Sequence, residues 1–213
     1  ATLAYLARRA WRYLRRVGVQ LPATYADAAV DVLCRYPADT NWAGTWVANH
    51  VFFHGSGKYG RNRFQFGYRQ YPSAGQLKDR AYPDLWRRSP RPLFTLLERA
   101  RADAVREFAA AALKADFRAA LRDIEPVWVV RLVAARSAAI DEFVVWLLQN
   151  VPTFEQGGFR GNGLHAAVLR LLDSPAAAAR VYAAGYARTH ARDLSVPELV
   201  RLANNDHEAV RTL

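Results

Sequence analysis

The sequence predicts an all-α protein in which helix-turn-helix units repeat along the chain as an α-solenoid. Three observations lead to this prediction. Similar segments recur in the second half of the chain, with starts that are 35, 39 and 31 residues apart. Apolar residues in these segments recur three and four positions apart, as they do on one face of a helix. Alanine, the residue with the highest helix propensity, is abundant in the same segments.

The first 90 residues are predicted to form a basic helical segment with one long loop over residues 55–81. Residues 2–18 have the pattern of an amphipathic helix that ends at Gly18. Two further helices and a short helical turn in "YPDLWRRSP" complete this segment. The polar side of the first helix carries four arginines, with a fifth at its flank: Arg8, Arg12, Arg15 and Arg16, and then Arg9.

Residues 91–213 are predicted to consist of the repeats, each with two helices joined by a tight turn. Within 105–117 the apolar residues fall at positions i, i+3, i+4, i+7, i+8 and i+12, which places them on one helical face. Phe108, Phe143 and Tyr182 occupy the equivalent place in three units. The second helices of the four units are predicted near 104–117, 139–150, 178–190 and 209–213.

The turns of these units carry a family resemblance. The stretch "NNDHEAVRTL" has an Asn- and Asp-rich turn followed by Val-Arg at the start of a helix, and "RADAVREFA" repeats that pattern. Both resemble HEAT-type repeats, although "SAAIDEFVV" departs from the pattern with Asp141 where arginine is usual. The resemblance covers residues 91–213. Because the last unit stops within its second helix and the chain has no methionine, we expect a piece of a longer protein.

A second resemblance involves the N-terminal half. The stretch "YLARRAWRYLRR", followed by "YPDLWRRSP" and the repeats, resembles the helical region of large bacterial proteins that carry WGR domains and are similar to the molybdate metabolism regulator. This chain contains no WGR sequence. The resemblance implies a bacterial cytoplasmic scaffold with a role linked to nucleic acid, and it transfers no catalytic residue.

The net charge of +11 is concentrated in the first half of the chain. Residues 1–100 contain 16 Lys+Arg against 6 Asp+Glu, whereas residues 101–213 contain 14 against 13. This asymmetry predicts a polyanionic partner for the first half, either nucleic acid or an acidic protein or domain. No signal peptide is evident and Cys34 stands alone, so we expect a cytoplasmic protein. No apolar run approaches the roughly 20 residues of a membrane span, so no membrane partner is expected.

The long loop is a second candidate for contact with nucleic acid. Its basic residues are interleaved with aromatics, and this mixture suits single-stranded nucleic acid because cations bind phosphates and aromatic rings stack on bases. The alternative is that "RFQFGYRQY" forms a short β-hairpin with its aromatics in the core. The predicted nucleic-acid contacts are Arg8, Arg12, Arg15 and Arg16 of the first helix and Lys58, Arg61, Arg63 and Arg69 of the loop.

Motifs for nucleotides, metals and catalysis are incomplete, so we expect no cofactor, no metal site and no enzymatic activity. The stretch "GSGK" lacks both the first glycine and the final Ser or Thr of a phosphate-binding loop. His50 and His54 share a helical face, but Val51 stands where a zinc protease needs glutamate. Asp141 and Glu142 are adjacent and do not share a helical face, so they are interpreted as solvated charges.

The sequence thus predicts a non-catalytic helical scaffold whose basic N-terminal half binds nucleic acid through phosphate contacts. Two alternatives stay open. The solenoid could instead dock an acidic protein partner or another domain of the same polypeptide. More remotely, alkylpurine DNA glycosylases have a HEAT-like architecture, although nothing in this sequence places a particular aspartate beside the tryptophans.

Overall fold

The structure is a computed structural model that describes residues 2–40, 42, 45–56 and 74–212. Regular structure in these ranges is entirely helical and contains no β-strand, which confirms the predicted all-α class. The chain divides into two compact units, Ala1–Arg118 and Ala119–Leu213. The sequence-based division at residue 90 follows the repeat pattern instead and stays a prediction.

The first unit contains six helices in the described ranges. They are α1 (Thr2–Gln20), α2 (Tyr25–Leu33), α3 (Trp46–Phe53), α4 (Pro83–Trp86), α5 (Arg91–Arg99) and α6 (Asp103–Asp116), with 3₁₀ turns at Pro22–Thr24 and Ala74–Asp79. Tyr25, Phe52 and Trp86 are fully buried at their centre. The rings of Phe52 and Trp86 both pack on Phe108, with centroids 5.0 and 5.3 Å away. Burial of each such aromatic side chain contributes about 1.5–3 kcal/mol.

The first helix ends later than the sequence predicts. Gly18 is not a terminal residue, because α1 continues to Gln20. A Cβ atom at Gly18 would lie 2.6 Å from Cζ of Tyr82, so glycine is needed here for close packing of the ring. The Tyr82 hydroxyl also donates a hydrogen bond to the carbonyl of Arg15, at 3.1 Å. Tyr82 therefore fixes the C-terminal half of α1.

The two ends of the long loop are tied together beside α3. The Gly55 amide donates to the carbonyl of Asp79 at 2.7 Å, and the Ala81 amide donates to the carbonyl of Val51 at 2.9 Å. The chain thus leaves the end of α3 and returns to the same place, where Tyr82 reaches α1. The predicted hairpin in "RFQFGYRQY" and the basic residues Lys58, Arg61, Arg63 and Arg69 lie outside the described residues.

The second unit is built from helices that follow one another after short turns. They are α7 (Arg118–Arg122), which begins at the boundary, then α8 (Pro126–Val133), α9 (Ala138–Asn150), α10 (Leu164–Arg170), α11 (Ala177–His190), α12 (Val196–Ala203) and α13 (Glu208–Arg211). Helices α9 and α11 begin one residue before the positions given by the periodicity, as does α6 in the first unit. At the start of α12, the Ser195 amide and hydroxyl both donate to Glu198, at 2.8 and 2.5 Å.

Candidate polyanion-binding surface

Five arginines form a continuous cationic face on α1. At 3.6 residues per turn they fall within an arc of about 120° around the helix axis. We call these residues, Arg8, Arg9, Arg12, Arg15 and Arg16, the α1 arginine face. The opposite side of α1 carries Trp11, Leu14 and Val17, which are buried against the rest of the unit. The face exists because apolar and cationic residues alternate with helical periodicity.

The α1 arginine face has no internal charge compensation. The helix contains no acidic residue. None of its five arginines forms an ion pair with any carboxylate in the described part of the chain. Five like charges along one exposed helix produce a strong local positive potential, which attracts polyanions.

Two of these arginines are held by tryptophan rings. The guanidinium carbon of Arg15 lies 5.1 Å from the ring centroid of Trp11, and that of Arg8 lies 6.0 Å from the centroid of Trp46. Trp11 and Trp46 in turn pack on each other at 5.3 Å. Such cation–π contacts restrict the side chains while leaving their charges in place. Arg9, Arg12 and Arg16 are exposed.

Two tyrosines on α1 were missed by the sequence-based prediction, which assigned stacking to the loop aromatics. Tyr5 and Tyr13 are 54% and 67% exposed. Tyr5 lies within the arc of the arginines, and Tyr13 lies at its edge, one turn from Arg9 and Arg16. Arg9 stacks on Tyr5, with its guanidinium carbon 5.9 Å from the ring centroid. The available signal was their spacing of eight residues with arginines between them. Exposed aromatic rings among cations can stack on nucleic-acid bases.

Part of the basic stretch at the end of the long loop and directly after it serves the fold. The side chain of Arg80 is buried, and its Nη2 lies 2.6 Å from Oδ2 of Asp116. Arg87 Nε lies 3.1 Å from Oδ1 of the same carboxylate. Because one aspartate at the end of α6 engages both guanidinium groups, these two arginines are not equivalent to those of α1 as contacts for a polyanion.

The two histidines of α3 belong to an aromatic cluster. His50 is fully buried, and its ring lies 5.0 Å from that of His54 and 6.0 Å from that of Tyr82. Burial, together with the nearby His54, lowers the pKa of His50 to about 3, so it is uncharged at neutral pH. Burial also lowers the pKa of His54. Across the described ranges, no three His, Cys, Asp or Glu side chains are grouped so that they could hold a metal ion.

The interpretation of Asp141 as a solvated charge is wrong. It is 3% exposed, and the Ser174 hydroxyl donates to its Oδ2 at 2.6 Å. The Ala176 amide donates to the Ser174 hydroxyl at 3.0 Å, so this pair links the first turn of α9 to the start of α11. Helical spacing alone could not reveal a hydrogen-bond partner 33 residues away.

Comparisons with known proteins identify no relative. No protein-family model matches the chain, and no curated protein or solved structure matches it either. Among the helices that the structure describes, none combines the length and apolar character of a membrane span. The function is therefore inferred from the described side chains.

Proposed function

We propose that this chain is a non-catalytic helical-repeat scaffold whose basic N-terminal half binds nucleic acid through phosphate contacts. The observation that carries the proposal is the α1 arginine face, with five guanidinium groups and no ion pair among the described residues. Guanidinium groups bind phosphate oxygens through charge-assisted hydrogen bonds, often two at a time.

Single-stranded nucleic acid fits this surface best. Residues Arg8 to Arg16 extend about 12 Å along the helix axis. The exposed rings of Tyr5 and Tyr13 lie among the arginines and offer stacking partners for unpaired bases. Stacking and phosphate contacts are tolerant of sequence, so we expect weak sequence preference.

The repeat architecture is the second part of the proposal. In the second unit, α8 packs on α9 and α10 packs on α11, and these are the helix pairs of two predicted repeats. Helix α8 also packs on α10, while α9 packs on α11 and α11 packs on α13. In a HEAT-like solenoid, the first helix of one repeat would pack on the first helix of the next repeat, and the second helix on the second. These contacts support that arrangement for the second unit.

Docking of an acidic protein is the alternative, and a specific observation favours it. Leu3 and Leu6, which belong to the apolar side of α1 and not to the α1 arginine face, are 82% and 53% exposed. An exposed apolar side on a cationic helix suits an amphipathic acidic helix better than it suits a nucleic acid. The alternative predicts binding to such a helix that a single-stranded oligonucleotide does not displace.

The salt dependence of oligonucleotide binding tests the proposal. Release of about 0.7 counterions per phosphate contact on a single strand gives a slope of about −3.5 in log K against log salt for five contacts. An increase from 50 to 200 mM salt should then weaken binding about 100-fold. Fluorescence anisotropy with a labelled single-stranded oligonucleotide measures this. Absence of binding at 50 mM salt, or an affinity unchanged by salt, contradicts the proposal.

A further inference from the structure

A cavity of about 280 Å³ opens in the second unit beside the turns that follow α8 and α10. Its volume is close to the lower end of the range for small-molecule sites, which begins at about 300 Å³. The cavity has apolar walls and a cluster of charged and polar side chains. The polar residues that line it are Arg136, Asp141, Arg170, Asp173 and Ser174. None of them belongs to the α1 arginine face.

The acidic residues of the cavity already have donors. Nη1 of Arg201 lies 2.7 Å from both carboxylate oxygens of Asp173. Asp141 is buried and accepts the hydrogen bond from Ser174. Ser174 is itself held by the Ala176 amide, so the Asp141–Ser174 pair forms a fixed polar floor.

The arginines that line the cavity differ from its aspartates in their contacts. Within the described ranges, the guanidinium groups of Arg136 and Arg170 form no ion pair and no hydrogen bond, and both residues are exposed. Two like charges that line one cavity repel each other, and an anion bound between them attracts both and offsets that repulsion. The fork geometry of guanidinium matches phosphate oxygens in particular.

The backbone at Arg136 adds an independent observation. Its φ of 49° lies in the left-handed region, which glycine adopts without strain and other residues seldom adopt. Arginine therefore raises the energy of the folded state at this position relative to glycine. A ligand contact made by its side chain would give this strained residue a function.

We propose that this cavity binds a small phosphate monoester, with Arg136 and Arg170 on the phosphate group. Two guanidinium groups can bind the oxygens of a doubly negative phosphate. The Asp141–Ser174 floor provides acceptor oxygens for a hydroxyl group on the ester. The site is independent of nucleic-acid binding by α1, so either proposal can fail alone.

Isothermal titration calorimetry with glycerol 3-phosphate as the probe tests this site. We expect saturable 1:1 binding that is weakened about tenfold or more by Arg136→Gly and by Arg170→Gln. The control Arg192→Gln removes an exposed charge elsewhere in the unit and should leave the affinity unchanged. Because glycine relaxes the backbone at position 136, the Arg136→Gly variant should fold at least as well as the parent, so lost binding cannot reflect unfolding.

Three results would overturn the proposal. The first is no heat of binding at millimolar glycerol 3-phosphate with the folded parent protein. The second is full binding by both arginine variants, or binding lost instead when Arg9, Arg12 and Arg16 of α1 are replaced by glutamine. The third is inorganic phosphate binding as tightly as the ester, since the polar floor would then make no contribution to binding of the ester's hydroxyl group.

Discussion

Replacement of Gly18 by alanine should destabilise the first unit, although alanine is the better helix former. In an exposed helix interior this change gains about 0.5–1 kcal/mol. Here the new methyl group would overlap the ring of Tyr82, whose hydroxyl is fixed on the Arg15 carbonyl. Overpacking of this kind costs about 1–3 kcal/mol, so after the gain in helix propensity we expect a net loss of up to about 2.5 kcal/mol. Urea denaturation followed by circular dichroism measures the change in the free energy of unfolding.

Gly185 provides the matched control for this prediction. It also lies within a helix, α11, but a Cβ atom there would have no neighbour within 4 Å. Gly185→Ala should therefore stabilise its unit by about 0.5–1 kcal/mol. Equal effects of the two substitutions would refute the close packing of α1 against Tyr82.

Three further predictions concern buried and strained residues. As the pH is lowered from 6.5 to about 3, the free energy of unfolding should decrease by at most about 1.4 kcal/mol per pH unit. The reason is that the folded state lowers the pKa of His50, so the unfolded chain binds the proton first. The His50→Phe variant should show a weaker pH dependence in urea titrations. Asp141→Ala should cost about 1–3 kcal/mol by removing the acceptor of Ser174, whereas Asp123→Ala, at an exposed position, should change stability by less than about 0.5 kcal/mol. Arg136→Gly should raise the thermal midpoint of the second unit, since relief of the left-handed strain is worth about 1 kcal/mol.

Helix positions were accessible from the sequence because they depend on local patterns. Apolar periodicity placed the starts of α6, α9 and α11 within one residue. These signals lie within a few residues of the helices that they define.

Features that depend on residues distant in the chain could not be predicted from the sequence. Gly18 has the sequence signature of a helix end, but glycine is needed there because the ring of Tyr82, 64 residues later, packs against it. Asp141 has the signature of a solvated charge, but Ser174 holds it in the core. The candidate surface contains both features that the sequence predicts and features that it does not. Periodicity placed the arginines of α1 on one side, whereas the exposure of Tyr5 and Tyr13 depends on which residues the rest of the unit leaves uncovered.

The measurement that tests the central claim most directly compares two triple variants by fluorescence anisotropy with a labelled single-stranded oligonucleotide. One variant replaces Arg9, Arg12 and Arg16 of α1 by glutamine. The other makes the same change of charge at exposed arginines of the second unit that form no ion pair in the described ranges, Arg122, Arg131 and Arg192.

We predict that the α1 variant loses about 2 from the magnitude of the salt slope, at about 0.7 per phosphate contact, and binds weakly at 50 mM salt. The second variant should keep the slope and affinity of the parent. Equal losses in both variants would show that only net charge matters, and an unchanged slope in the α1 variant would contradict binding by the α1 arginine face.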